Sequence, residues 1–409
     1  MSNRDMRAEN AEHRGRRSDA TRTLLVALLL LLVLLLAALM FLVSKVVTPM
    51  GSAAVRKSIP RGLEWVRSIY GYGPKVEQQF NRPVDAAVGP GGRIWGTDAS
   101  RARILGFNAD GSYATLIHSG PSAAGKGRIK RVEGIATDAD GNVYVADFGN
   151  EKVLVFNAGG QFLREWSVPL PCDIAVSNGR VVVGSVPGVS VFSLDGKVLS
   201  VWGKRGKGPD EFDVAHGVAV APDGTVYIAD TQNRRIKSYD KDGRLLWVWP
   251  QGMRTAPKSG IVATSTPGGV QLPMSIALDG MGRLVVADSF GFDLVVLKVT
   301  KSGATLAGRY GEQGSRDGLF TYASGIAYDA ERDWFVVADT GNDRLQVVRI
   351  PGSGSNGAAA AIRRTMSGPL AVCAVPLGLL LLAILVALAV RRGRRSMRGA
   401  TTGDHADEE

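Results

Sequence analysis

The sequence has few of the side chains that build metal centres and disulfide frameworks. It holds two cysteines, Cys172 and Cys373, and four histidines, with no CxxC or HxxxH spacing among them. Cys373 lies in an uncharged apolar run that does not easily meet Cys172. No disulfide framework follows, and cysteine usage says nothing of the redox compartment. Aromatic residues are 7% of the chain and charged residues 21%, against 45% apolar residues and 51 glycines. That balance excludes long disorder and suits a turn-rich globular protein. Negative charge is also in deficit. The net charge of +11 brings nucleic acid into consideration as a partner, subject to compartment.

Long apolar runs are confined to two places, residues 23–44 and 365–390, each free of charge. Either is long enough to cross a hydrocarbon core as a helix. Arg14, Arg16, Arg17 and Arg22 precede the first, and Arg391, Arg392, Arg394, Arg395 and Arg398 follow the second. The positive-inside rule then predicts two transmembrane helices in a two-pass plasma-membrane protein, with cytoplasmic tails 1–22 and 391–409. The region between, with linkers 45–62 and 351–364, is expected outside the cytoplasm, which argues against nucleic acid. A cleaved signal peptide fits the first run less well, because its core is long and no small-x-small site follows in SKVVTPMGSAA.

Between these runs the chain repeats itself. VYVADFGNEKVLVF at 143–156 returns as VYIADTQNRRIKSY at 226–239 and FVVADTGNDRLQVV at 335–348. Six units begin near Pro83, Val132, Pro171, Ala215, Pro273 and Ala323, each opening on a short apolar strand: VDAAV, EGIAT, CDIAV, HGVAV, MSIAL, SGIAY. A turn such as ADGN or PDGT, a strand ending in Ala-Asp, a third strand and usually a fourth complete each unit, a pattern of antiparallel sheet. Many strands are apolar on both faces, so both must be covered, as blades stacked around an axis allow. The sixth unit has only three strands, while LEWVRSIYGYG at 63–73 is a strand without a blade. Joining the two closes a ring. The expected fold is all-β: a six-bladed β-propeller over 63–350, closed by an N-terminal strand and flanked by the two transmembrane helices. Its blades average about 48 residues, within the range of such repeats.

The pattern of GIA, D-x-x-G, VYVADT-x-N-x-R and VF resembles the NHL repeat, with the best copies in the three stretches quoted above. Blades 1 (IWGTDASRARILGF) and 5 (LVVADSFGFDLVVL) are looser, and blade 3 (VVVGSVPGVSVF) lacks the Asp. The resemblance is specific for fold and weak for function, because this fold hosts many activities.

The Asp ending each second strand (Asp98, Asp147, Asp230, Asp288, Asp339) is expected to hold turn amides, with Arg103, Arg235 and Arg344 pairing to a nearby carboxylate. Function is then sought where the blades differ. Loops after the Ala-Asp lie on the ring face from which each innermost strand starts, here called the top. The residue opening that strand gives a ring of Val84, Glu133, Cys172, His216, Met274 and Ser324 at the channel mouth. Glu133, Cys172 and His216 are weak candidates for a divalent metal, soft ligands favouring zinc or copper. Basic loops rim the same mouth: Lys126, Arg128, Lys130 and Arg131 in one, Lys204, Arg205 and Lys207 in the other. The insertion 250–271 reads as a lid. Trp202, Trp247 and Trp249 are expected in the core rather than as sugar platforms. His118 reads as surface, and His13 and His405 fall in the tails.

The leading expectation is a membrane-anchored extracytoplasmic module that binds a ligand or partner through its top face. A protein, a glycan or an anionic cell-envelope polymer would suit the basic rim. No cofactor is expected beyond the candidate metal. The alternative is a metal-dependent enzyme at the channel. HGVAVAPDGTVYIAD at 216–230 resembles a repeat of the peptidyl-hydroxyglycine amidating lyases, and His216 would match one ligand, though Glu133, Cys172, Met274 and Ser324 stand where other ligands are implied. Lactonase-type six-bladed propellers use acidic and Asn ligands, a set to which Glu133 with Asp85 and Asp173 corresponds only loosely.

Overall fold

The computed structural model describes residues 62–118, 126–250 and 269–354. They form six four-stranded antiparallel sheets and one two-stranded parallel ribbon, Lys204–Arg205 beside Glu211–Phe212. Each sheet is a blade, its strands hydrogen-bonded in chain order from the axis outward. Blade 1 runs Ala86–Val88, Ile94–Asp98, Arg103–Phe107, Tyr113–His118. Blade 6 takes Ala323–Asp329, Trp334–Asp339 and Arg344–Arg349 from the end of the ring, and its outer strand, Glu64–Ile69, from the beginning. The register sets Glu64 opposite Arg349 and Ile69 opposite Leu345.

The apolar runs of the sequence become strands covered on both faces. Val143–Asp147 and Val226–Asp230 are buried throughout, whereas the outer strand Val198–Trp202 is largely exposed. The core is a series of inter-blade seams rather than one centre. Ala136, Tyr144, Val153 and Val155 of blade 2, for example, pack on Ile174, Val181 and Val183 of blade 3. Full burial of a Val or Ile side chain stabilises by roughly 1.5–3 kcal/mol, so every seam resists separation of its blades. The hairpins follow from their polar residues. Asp138 Oδ1 accepts N–H bonds from Asp140 and Asn142 at 3.0 and 2.8 Å, and Gly141 takes φ 81°, which glycine adopts without a Cβ clash.

Hydroxyls after the repeated Asp tie blades 4, 5 and 6 each to the next. Thr231 donates to the Pro273 carbonyl at 2.7 Å, Ser289 to Ala323 at 2.5 Å and Thr340 to Pro83 at 2.6 Å. The last of these crosses the closing seam from blade 6 to blade 1.

The membrane-anchored reading requires correction. Among the described residues no helix is long and apolar enough to cross a membrane; the only helices there are 3-10 turns such as Val76–Gln78 and Thr340–Asn342. The two transmembrane helices expected at 23–44 and 365–390 lie outside the described residues, as do both tails. The flanking helices, the two-pass plasma-membrane topology, the extracytoplasmic placement and the membrane-integral partnership all rested on those two runs. None has support in the structure, and all are withdrawn. What stands is the six-bladed all-β ring.

Candidate active site in the central channel

The repeated Asp residues are spent on architecture. Asp147 accepts the Lys130 and Arg131 amides at 2.9 Å each, so it fixes the entry to its own blade as well as its turn. Asp230 and Asp339 do likewise with the Asp213 and Thr321 amides at 2.8 and 2.7 Å. Asp98, Asp230 and Asp339 each also take an arginine Nε from five residues along: Arg103 to Asp98 at 2.8 Å, Arg235 to Asp230 at 2.7 Å, Arg344 to Asp339 at 2.9 Å.

The ring of residues opening the innermost strands is brought to one level, but its polar members are engaged locally. Glu133 accepts from Arg131 Nε at 2.6 Å, and that guanidinium also lies over the Phe148 ring. His216 Nδ1 is 2.9 Å from the Met274 carbonyl, and burial lowers its pKa against the opposing charge of Glu133. Cys172 is buried, with its thiol 3.5 Å from the Leu170 carbonyl and its pKa pushed up to about 12, first by burial and then by Glu133 and Asp173. Ser324 donates to the Val84 carbonyl at 2.9 Å and contacts the Thr340 hydroxyl.

These donors do not fit a metal. Among the described residues no three His, Cys, Asp or Glu side chains converge as a ligand set. Glu133 is held by a cation, and a thiol that favours its proton so strongly is a poor source of the thiolate a metal needs.

The basic loops remain at the surface, partly neutralised. Lys126, Arg128, Lys130 and Arg131 are exposed. Lys204 pairs with Glu211 at 3.3 Å and Arg205 with Asp213 at 3.6 Å, while Lys207 is exposed. Residues 251–268 of the expected lid lie outside the described residues. Trp247 and Trp249 are buried, and Trp202 packs on Phe212 and Tyr239. His118 is exposed at the end of its strand; His13 and His405 lie outside the described residues.

The chemistry gathers one residue further down each innermost strand. At that level the six blades carry Asp85, Gly134, Asp173, Gly217, Ser275 and Gly325 in order. Side chain and glycine alternate, so the waist of the channel is threefold. Each glycine makes room for a neighbour. A Cβ on Gly134 would stand 2.6 Å from the Asp173 Cα, and one on Gly217 would stand 2.8 Å from the Ser275 Cα.

Asp85, Asp173 and Ser275 line one end of a cavity of about 270 Å³. Its wall is a ring of small side chains, Ala87, Ala136, Ala175, Ala219, Ala277 and Ala327, and it reaches Val88, Leu278 and Tyr328 towards the face opposite the top. The residues of the upper ring do not line this cavity.

The two carboxyl groups at the waist stand near enough that each shifts the other's titration. Asp85 Oδ2 accepts the Ile135 amide at 2.9 Å; Asp173 accepts Ile174 at 2.7 Å and Val218 at 3.0 Å. Burial raises both pKa values, Asp85 well above the carboxylate range with the Asp173 charge adding to it, and Asp173 to about 7. Two like charges this near, out of water, cannot both form easily, so the pair retains a proton. One protonated and one ionised carboxyl, side by side on this cavity, can give and take a proton in one reaction.

With this geometry in view, the likeness to known proteins acquires meaning. The NHL repeat model matches residues 212–239, and that of the SMP-30/Gluconolactonase/LRE-like region matches 91–180. The chain is a six-bladed β-propeller of NHL- and SGL-like repeats. NHL repeat-containing protein 3 of Mus musculus is 32% identical over 248 residues, and that of Homo sapiens 26% identical over 248 residues. Each alignment covers 54% of this chain and 66% of the relative, so the chain spans just under two thirds of their length. Among solved structures, a streptogramin B lyase superposes with a TM-score of 0.50 at 12% identity, over 71% of this chain and 98% of that one. Identity at that level speaks for the fold alone. The stretch 91–180 contains Asp173 and four of its surrounding channel residues, Gly134, Ile135, Ala136 and Ile174.

Proposed function

We propose that the ring is an enzyme that opens a small lactone or related ester inside its central channel, using Asp85 and Asp173 as a proton-sharing pair and no metal. The observation that carries this reading is the carboxyl pair itself, buried and electrostatically coupled where it lines the channel cavity. The likeness of residues 91–180 to a gluconolactonase-type region supports the substrate class. In the reaction, the ionised carboxylate takes a proton from water while the water oxygen bonds to the carbonyl carbon. The protonated partner then donates to the departing ring oxygen as the C–O bond breaks. One water is consumed, one hydroxy acid forms, and the pair ends with the proton it began with. The metal-dependent version expected from the sequence loses its ground because Glu133, Cys172 and His216 are not arranged as ligands.

The test is hydrolysis of a panel of lactones and aryl esters by the purified full chain, with and without a chelator. Chelator-resistant turnover is expected, falling about 10²- to 10⁴-fold in Asp85→Asn and Asp173→Asn, the range over which positioned acids and bases contribute. Hydrolysis of none of the panel, or turnover indifferent to both substitutions, overturns the reading.

A further inference from the structure

The threefold waist has a gap. In each blade the residue after the alternating Asp/Gly/Ser position stands two registers in from the residue opposite the strand's start: Ala86 opposite Gly96, Ile135 opposite Val145, Ile174 opposite Val183, Val218 opposite Ile228, Ile276 opposite Val286 and Ile326 opposite Val337. The amide of this residue faces away from the neighbouring strand and towards the axis, where a carboxylate accepts from it in three blades. Asp85 takes the amide of Ile135 in the next blade at 2.9 Å, and the Ala86 amide of its own blade lies near enough to favour its charged form. Asp173 takes the amides of Ile174 and Val218, its own blade and the next. Threefold repetition would put a third carboxylate on Ile276 and Ile326, but Ser275 stands there. Its side chain is too short to do what the two aspartates do.

Buried amides seldom go without an acceptor, and among the described residues no side chain and no carbonyl outside the strand ladders accepts from the Ile276 or Ile326 N–H. Ser275 is 5% exposed, lines the cavity and makes no side-chain hydrogen bond among the described residues. The space that an aspartate side chain would fill is present, because Gly217 stands to Ser275 as Gly325 stands to Asp85.

We infer that this gap is a binding subsite for a ligand carbonyl or carboxylate oxygen, held by the Ile276 and Ile326 amides and the Ser275 hydroxyl. The ligand supplies the oxygen that the missing third aspartate would have supplied. Its remainder lies along the alanine-lined cavity, so the ligand is a slim, short-chain acid, ester or lactone with its polar head at the waist. The inference rests on the lactone-opening reading where it assigns a role in catalysis. There the same donors would receive charge as the carbonyl oxygen becomes an oxyanion, opposite the carboxyl pair that handles the proton. Binding as such does not depend on turnover.

The experiment uses the full chain labelled with ¹⁵N-isoleucine and titrated with butyrate at pH 5.5, where the carboxyl pair keeps its protons and does not repel an anion. Saturable shifts of the Ile276 and Ile326 amide signals are expected. In Ser275→Asp the built-in carboxylate should already have moved both signals, and butyrate should no longer shift them. In Ser275→Ala, which leaves the amides in place, butyrate should bind about 3- to 10-fold more weakly, as the loss of one hydrogen bond implies. No saturable response at these two amides, or a Ser275→Asp protein that binds butyrate as the parent does, overturns the subsite. If butyrate binds there and no lactone is opened, the subsite stands and the enzymatic reading falls. If lactones are opened while both amides stay silent, the subsite falls alone.

Discussion

A Cβ placed on Gly325 would lie 2.3 Å from the Cα of Asp85 and 2.4 Å from its Oδ1. The innermost strands of blades 6 and 1 therefore approach too closely for any side chain at this position, and the approach aims the Asp85 carboxyl into the channel. Gly325→Ala should cost about 1–3 kcal/mol, the usual penalty for overfilling a packed site. Gly179→Ala is the control for backbone strain alone, since its φ is +70° and nothing lies within 4 Å of an added Cβ. Urea unfolding of the two variants measures the comparison. Only the first should also disturb the Asp85–Asp173 pair, seen as an altered pH dependence.

That pH dependence has a definite sign. Burial raises both carboxyl pKa values, so the folded ring binds protons more tightly than the unfolded chain. The pair's contribution to stability is complete below about pH 4, where unfolded aspartates are protonated. It is lost as pH rises through the folded value, about 7 for Asp173. Asp85→Asn removes one of the two charges and should flatten the profile. The stability of the parent relative to Asp85→Asn is expected to fall between pH 4 and pH 8, by at most about 1.4 kcal/mol per pH unit for each proton. Subtracting one protein from the other cancels the remaining carboxylates. A difference that stays level or rises with pH contradicts the buried pair.

Asp230 should be among the costliest residues to remove. Its carboxylate faces Arg235 at 2.7 Å and Lys237 at 3.6 Å, with all three side chains fully buried. Asp230→Ala removes the buried carboxylate that these two cations face, a loss of about 3–5 kcal/mol. Asp242→Ala breaks a pair with Lys241 in which both partners are more than half exposed, and should change stability by less than about 1 kcal/mol. Thermal unfolding of both variants distinguishes them at once.

The Cys172 thiol should be inert in the folded protein. It is buried, and its pKa is pushed up to about 12, so little thiolate exists to react. In a Cys373→Ser background, one equivalent of thiol should escape a disulfide reagent at pH 8 until denaturant is added. Rapid labelling of the native protein would mean that the upper channel opens far more than the structure indicates.

The ring was readable in the sequence because its turns are written in polar residues. Asp138, Gly141 and Asn142 fix a hairpin by local hydrogen bonds, and a local device that recurs at Asp223, Asp279 and Asp329 is visible without knowing the fold. The closing strand was readable too, since blade 6 lacked one strand and residues 63–73 had none to join. The candidate site was harder to place. Sequence reading went to Glu133, Cys172 and His216, the residues of most varied chemistry, yet their polar atoms are occupied by Arg131, Leu170 and Met274. Asp85 and Asp173 stand one residue further along and were noted only loosely. Ser275 gave no signal at all. Its meaning depends on register around the ring, where glycine on every second blade lets the intervening side chain reach the axis. The two apolar runs misled in another way, since hydropathy spoke strongly for segments that the described structure does not include.

The pairing of Glu64–Ile69 with Arg344–Arg349 has a bearing on how the molecule is made. Glu64 and Arg349, joined by a 3.1 Å ion pair, are 285 positions apart. Neighbouring blades can assemble while the chain is still short, because their contacts are nearly local. The clasp cannot, and contacts between distant parts of a chain form late and slowly. Until Arg349 has been synthesised, the nascent protein is an open arc. The first strand to be made waits as an unsatisfied edge, open to wrong partners for nearly the whole synthesis of the ring.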